Sequence, residues 1–86
     1  MTRVNLLYFA WVREKIGRGE ETLEIPAGIE TVADLIAWLR DQGSEYANAF
    51  ARPETIRSAI DQQHVPADTA IAGAREIAFF PPVTGG

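Results

Sequence analysis

The sequence has 86 residues, a formal net charge of −4 and 47% hydrophobic residues, values that fit one small globular domain with a thin core and not a disordered chain. It has no cysteine and one histidine, His64, so disulfides, thiolate metal sites and a nucleophilic thiol are excluded and no metal site is expected. With no basic cluster and no apolar stretch of membrane-spanning length, neither nucleic acid nor a membrane is an expected partner, and a cytoplasmic location is the default.

A first strand is predicted over residues 2–9, where Val4, Leu6 and Tyr8 alternate with Asn5, Leu7 and Phe9. Both of its faces are mostly apolar after Asn5, which places it inside a sheet. Ala10 to Ile16 reads as a short helical turn punctuated by Gly17 and Gly19. A second strand over about Glu21 to Ile25 puts Leu23 and Ile25 on one side and Thr22 and Glu24 on the other. It is expected to form a hairpin with the first strand, through a connection too long for a two-residue turn.

The clearest helix starts at Thr31, an N-cap with Asp34 three residues on as an approximate capping box. Val32, Leu35, Ile36 and Leu39 form one apolar stripe, Gly43 reads as the C′ stop, and Trp38 lies off the stripe at the edge of the core. Tyr46, Ala47, Ala49 and Phe50 fit a short helix that ends before Pro53. Ile56 to Ile60 and His64-Val65 fit short strands around a turn at Asp61-Gln62-Gln63, and Pro66-Ala67-Asp68 and Ala72-Gly73-Ala74 are turn material. The last strand is Glu76 to Phe80, ended by Pro81, which has no N–H for a ladder. This order predicts an α+β fold, a mixed sheet covered on one face by a main helix. The two most apolar strands, the first and the last, are expected side by side and parallel at the sheet centre. That is the β-grasp arrangement, with a domain over residues 1–80 and an extended tail over 81–86.

The tail carries the chemistry. A terminal glycine offers the least hindered α-carboxylate, and Gly85-Gly86 can enter a narrow channel closed to bulkier residues. Pro81-Pro82 is expected to hold the approach extended, which reduces the entropy lost on insertion. A chain with no cysteine and one histidine has little else for acid–base or nucleophilic work.

Three segments point to one family. Phe9-Ala10-Trp11-Val12-Arg13-Glu14-Lys15-Ile16-Gly17 resembles the F-A-x-x-R-E-x-x-G segment of molybdopterin synthase small subunits, the MoaD-like sulfur carriers. Thr31-Val32-Ala33-Asp34-Leu35 resembles their T-V-x-x-L helix start, and residues 76–86 are similar to their E-V-A-F-F-P-P-V-x-G-G ending almost residue for residue. The resemblance runs through the whole chain in order. It implies a ubiquitin-like β-grasp protein whose terminal carboxylate, on Gly86, is adenylated by a ubiquitin-activating-type adenylyltransferase that uses ATP. Sulfur then replaces AMP to give a thiocarboxylate. It further implies that the carrier inserts its tail into the large subunit of molybdopterin synthase, in a heterotetramer, and supplies sulfur to cyclic pyranopterin monophosphate. No permanently bound cofactor is implied.

The same resemblance assigns Pro81, Pro82, Val83 and Thr84 to partner contact, with Gly85 and Gly86 at the reacting end. It places Phe9 and Phe80 on an apolar docking face, with plain core packing as the alternative for each. His64 stands on that face where typical members have leucine, and is otherwise a half-exposed sheet residue. Arg13 matches the family arginine and is expected to pair with a partner carboxylate; its alternative is a solvated helix charge. Before the last strand, Gly73-Ala74-Arg75-Glu76 replaces the usual D-G-D-E. Three other functions stay open on the residues: a carrier for thiamine or tRNA thiolation, a non-covalent interaction module, and ubiquitin-like conjugation through Gly86. Trimming Gly86 leaves only the interaction module active.

Overall fold

Alternating branched and aromatic side chains build the first strand, β1 (Thr2–Tyr8), whose Val4, Leu6 and Tyr8 turn into the core. The computed structural model describes residues 2–82; the expectations for Val83, Thr84, Gly85 and Gly86 lie outside the described residues. Next to β1 on one side is β2 (Glu20–Ile25), antiparallel, and on the other is β5 (Glu76–Phe80), parallel. β5 also pairs antiparallel with β3 (Arg57–Ile60), and β3 with β4 (Gln63–Val65), for a sheet order β2-β1-β5-β3-β4. The expected parallel pair at the centre sets Leu6 opposite Ile77 and Tyr8 opposite Phe79.

The long β1–β2 connection carries α1 (Ala10–Ile16), closed by Gly17 in the left-handed region at φ 90°. There the amide of Gly17 donates to the carbonyl of Arg13, and glycine meets the conformation without a Cβ clash. The main helix, α2 (Val32–Arg40), starts with the full capping box: Thr31 Oγ1 accepts from the Asp34 amide, and Asp34 accepts from the Thr31 amide. Its stripe Val32, Leu35, Ile36 and Leu39 is buried, and Trp38 packs part-buried at the core's edge.

Gly43 is not the C′ stop of α2. The helix ends at Arg40, and the amides of Asp41 and Gln42 donate to the carbonyls of Trp38 and Leu39, so tight last-turn bonds satisfy the end without a left-handed residue. Gly43 is instead extended, with φ 168°, and leads into α3 (Ser44–Ala49). A 3-10 turn at Pro53–Thr55 then delivers the chain to β3. The β3–β4 hairpin closes on two residues, Asp61 and Gln62, both at positive φ (49° and 73°). The Asp61 carboxylate accepts from the amides of Arg75 and Glu76, tying this turn to the start of β5.

All three helices contribute to one core against one face of the sheet, where Phe79 packs edge-on to Phe50 at 5.3 Å and beside Tyr8 at 6.2 Å. Among the described residues no helix covers the opposite face of the sheet.

Candidate docking face and tail root

Strand pairing determines what the uncovered face displays. Because the side-chain period is two, the residues flanking the core-facing Tyr8, Phe79 and Ser58 point outward. One cross-strand row runs Leu7, Ala78, Ala59 and His64 over β1, β5, β3 and β4. The next row toward the tail contains Phe80 opposite Arg57. The two alanines are small and form a shallow floor between Leu7 and His64. They belong to no part of the helix-side core cluster, although each is less than 10% exposed.

Phe80 is half-buried, and its ring lies 4.9 Å from that of exposed His64, tilted by 45°. Phe9 is 48% exposed, the most exposed large apolar side chain among the described residues. Core packing is therefore not the environment of Phe9, and Phe80 lies on the opposite side of the sheet from the core. Arg13, on α1, is exposed, and its guanidinium lies over Gly19, where an added Cβ would meet Nε at 3.2 Å. Among the described residues it has no ion-pair partner. Pro81 and Pro82 continue from Phe80 outside the ladder, both half-buried.

Next to Phe9, the core-facing Tyr8 is tied into a polar cluster that sequence reading missed. Glu21 on β2 accepts from the hydroxyls of Tyr8 and Tyr46 with one oxygen and from Arg18 with the other. Burial works against a charged Glu21, but the hydrogen bonds from Tyr46, Tyr8 and Arg18 outweigh it and hold the carboxyl below its ordinary value. Burial, together with the bond to Glu21, pushes the Tyr46 phenol up to about 12 and Tyr8 further in the same direction. Both phenols act as hydrogen-bond donors to the Glu21 carboxylate. With Tyr8 anchored inward, and the Phe9 amide bonded to the carbonyl of Phe79, the chain turns at Ala10 (φ 54°) and leaves the Phe9 ring outside. The signal in the sequence was only a glutamate on the apolar side of a strand, in phase with Leu23 and Ile25.

The site is thus an apolar shelf with an imidazole at one side and two prolines at its exit. Among the described residues it holds no cluster of three or more potential metal ligands.

The profile of the ThiS family matches residues 6–86. This chain belongs to the ThiS family. Over 83 residues it is 35% identical to the molybdopterin synthase sulfur carrier subunit of Haemophilus influenzae, covering 96% of this chain and 99% of that one. The Escherichia coli subunit of the same name gives the same identity and coverage. The Mycobacterium tuberculosis subunit is 31% identical, with both chains covered completely. Among solved structures, small archaeal modifier protein 1 of Haloferax volcanii superimposes on this ThiS-family chain with a TM-score of 0.72 at 21% identity, covering 96% of this chain and 100% of that one. Its namesake from Methanosarcina acetivorans gives 0.69 at 24%, covering 100% and 98%. The shared fold is the ubiquitin-like β-grasp, as the strand order predicts. No helix among the described residues is long and apolar enough to cross a membrane.

Proposed function

We propose that this chain is the sulfur-carrier small subunit of molybdopterin synthase and that Gly86 is its reacting residue. The observation that carries the reading is the uncovered apolar face with Phe9 exposed at its edge and Phe80 at the root of the tail. Relatives spanning the whole chain, named molybdopterin synthase sulfur carrier subunits, support it.

In this reading a ubiquitin-activating-type adenylyltransferase docks the cytoplasmic carrier and brings ATP. The Gly86 carboxylate attacks the α-phosphorus, pyrophosphate leaves, and a sulfur nucleophile then displaces AMP from the acyl carbon. A carboxylate is a poor electrophile and adenylation supplies its leaving group. The resulting thiocarboxylate enters the active site of the large subunit, where its soft sulfur forms a bond to a carbon of cyclic pyranopterin monophosphate as an oxygen substituent leaves that carbon. Water later releases the acyl group as the carboxylate and leaves sulfur on the pterin. The carrier's own residues bind and aim. Phe9 and Phe80 offer apolar anchors, Pro81-Pro82 stiffens the approach, and two carriers flank a large-subunit dimer.

Intact-mass measurement of protein isolated from cells that contain its activating enzyme tests this reading. A population in which one oxygen is replaced by sulfur, located to Gly86 by fragmentation, is the expected result. Unmodified Gly86 under those conditions, with the enzyme demonstrably active on ATP, would count against the carrier role.

A further inference from the structure

On the helix side of the tail root lies a groove of about 500 Å³. Trp11 and Lys15 of α1 form one wall, Asn48 of α3 with Arg52 and Thr55 beyond it form the other, and Pro82 closes one end. Lys15 Nζ sits 5.4 Å from the centre of the Trp11 ring, an arrangement that strengthens when water is excluded from it.

The charge of this groove opposes that of the chain. The sequence has 12 acidic and 8 basic residues, yet the described lining has two cations and no carboxylate. Lys15 has no ion-pair partner among the described residues, and Arg52 makes only a 3.4 Å pair with Glu54 in which both side chains are largely exposed. Such a pair is held weakly and exchanges readily for a better one.

Resting on the sulfur-carrier reading, the position of the groove gives it a partner. A protein that draws residues beyond Pro82 into its active site closes around Pro81-Pro82 from both sides. One side is the open sheet face, and the other is this groove, which borders Pro82 itself. We infer that the groove seats an acidic segment of the synthase large subunit, a carboxylate between Lys15 and Arg52 and an apolar side chain against Trp11. Apolar contact on one side and charge pairing on the other then fix the angle at which the tail enters. The arrangement speaks for a carboxylate-bearing protein segment, since an apolar peptide would leave both cations uncompensated.

Lys15 is the only lysine in the sequence, so an amine-reactive ester labels the groove selectively apart from the N-terminus. Labelling of the full chain, free and with the purified large subunit of the same organism, is read by peptide mass spectrometry. Several-fold protection of Lys15 in the complex is expected. In parallel, the double variant Lys15→Glu/Arg52→Glu should bind the large subunit about tenfold or more weakly and with less salt dependence. Arg3→Glu/Arg40→Glu, which makes the same change in net charge outside the groove, should bind near wild type. The milder Lys15→Gln/Arg52→Gln should fall between, and thermal melts confirm that each variant is folded. A wild-type chain that fails to bind the large subunit at all overturns the sulfur-carrier reading. Normal wild-type binding with Lys15 still fully reactive and the reversal variant unimpaired overturns the groove assignment alone. Protection by the activating enzyme but not by the large subunit also overturns it.

Discussion

Tyr8 donates its hydroxyl to Glu21 across 2.7 Å, and the same carboxylate oxygen accepts the hydroxyl of Tyr46. One acidic side chain thus joins the central strand β1, the edge strand β2 and helix α3 just where the chain turns from Tyr8 to the exposed Phe9. Arg18, at 2.7 Å from the other oxygen, completes the set. The arrangement links the packing of the core to the strand end beside the proposed docking face.

Folding holds the Glu21 carboxyl below its ordinary value of 4.5. Its contribution to stability is therefore complete above that pH and is lost as pH falls through the lowered folded-state value. Glu21→Gln should cost about 1 kcal/mol at neutral pH and flatten the acid limb of the stability curve. Urea midpoints at neutral pH and in the acid range measure both effects; an unchanged acid limb would remove Glu21 from this role.

The hairpin turn offers a change in the opposite direction. Gln62 sits at φ 73°, where a side chain is strained and glycine is not. Gln62→Gly should raise stability by about 0.5–1 kcal/mol and leave partner affinity untouched. A thermal melt and one binding isotherm suffice to check it.

At the start of α2, Thr31→Ala removes the acceptor for the Asp34 amide and breaks the reciprocal pair. The expected cost is about 1 kcal/mol, read from the denaturant midpoint. A loss of only a few tenths would mean that the isolated Asp34 bonds to the amides of Glu30 and Thr31 suffice to hold this end.

On the docking face, Phe80→Ala should weaken binding to the large subunit by about 2 kcal/mol, and Trp38→Ala by much less. Phe80 faces outward beside His64 at the tail root, whereas Trp38 packs on the helix side of the core. Calorimetry on variants first shown to be folded makes the comparison. Equal losses would move the interface elsewhere.

Much of this fold was readable in advance because its signals are local or strongly periodic. The capping box of Thr31 and Asp34, the stripe of α2 and the apolar first and last strands each follow from residues close in sequence. Gly43 misled because glycine is the commonest way to end a helix, while here short last-turn hydrogen bonds ended α2 first and Gly43 took an extended role before α3. For Phe9 and Phe80, alternation alone left core and surface equally open. Only the parallel register of β1 and β5 and the one-sided placement of the helices put Phe80 on the uncovered face. The Glu21 cluster was beyond sequence reasoning because its partners, Tyr8 and Tyr46, lie 13 and 25 residues away. Nor could spacing reveal the cationic groove, whose walls come from two helices and whose end is Pro82.

The central claim is that Gly86 must present a free carboxylate to be charged with sulfur and delivered. Adding a single alanine after Gly86 keeps both glycines and every described contact, but converts that carboxylate to an amide. The direct measurement is molybdopterin formed by this extended variant with its matching large subunit and activating enzyme, with mass spectrometry confirming that the alanine is still present. A folded protein and no molybdopterin are expected; normal synthesis from the intact, uncleaved variant would rule out the carrier role of Gly86.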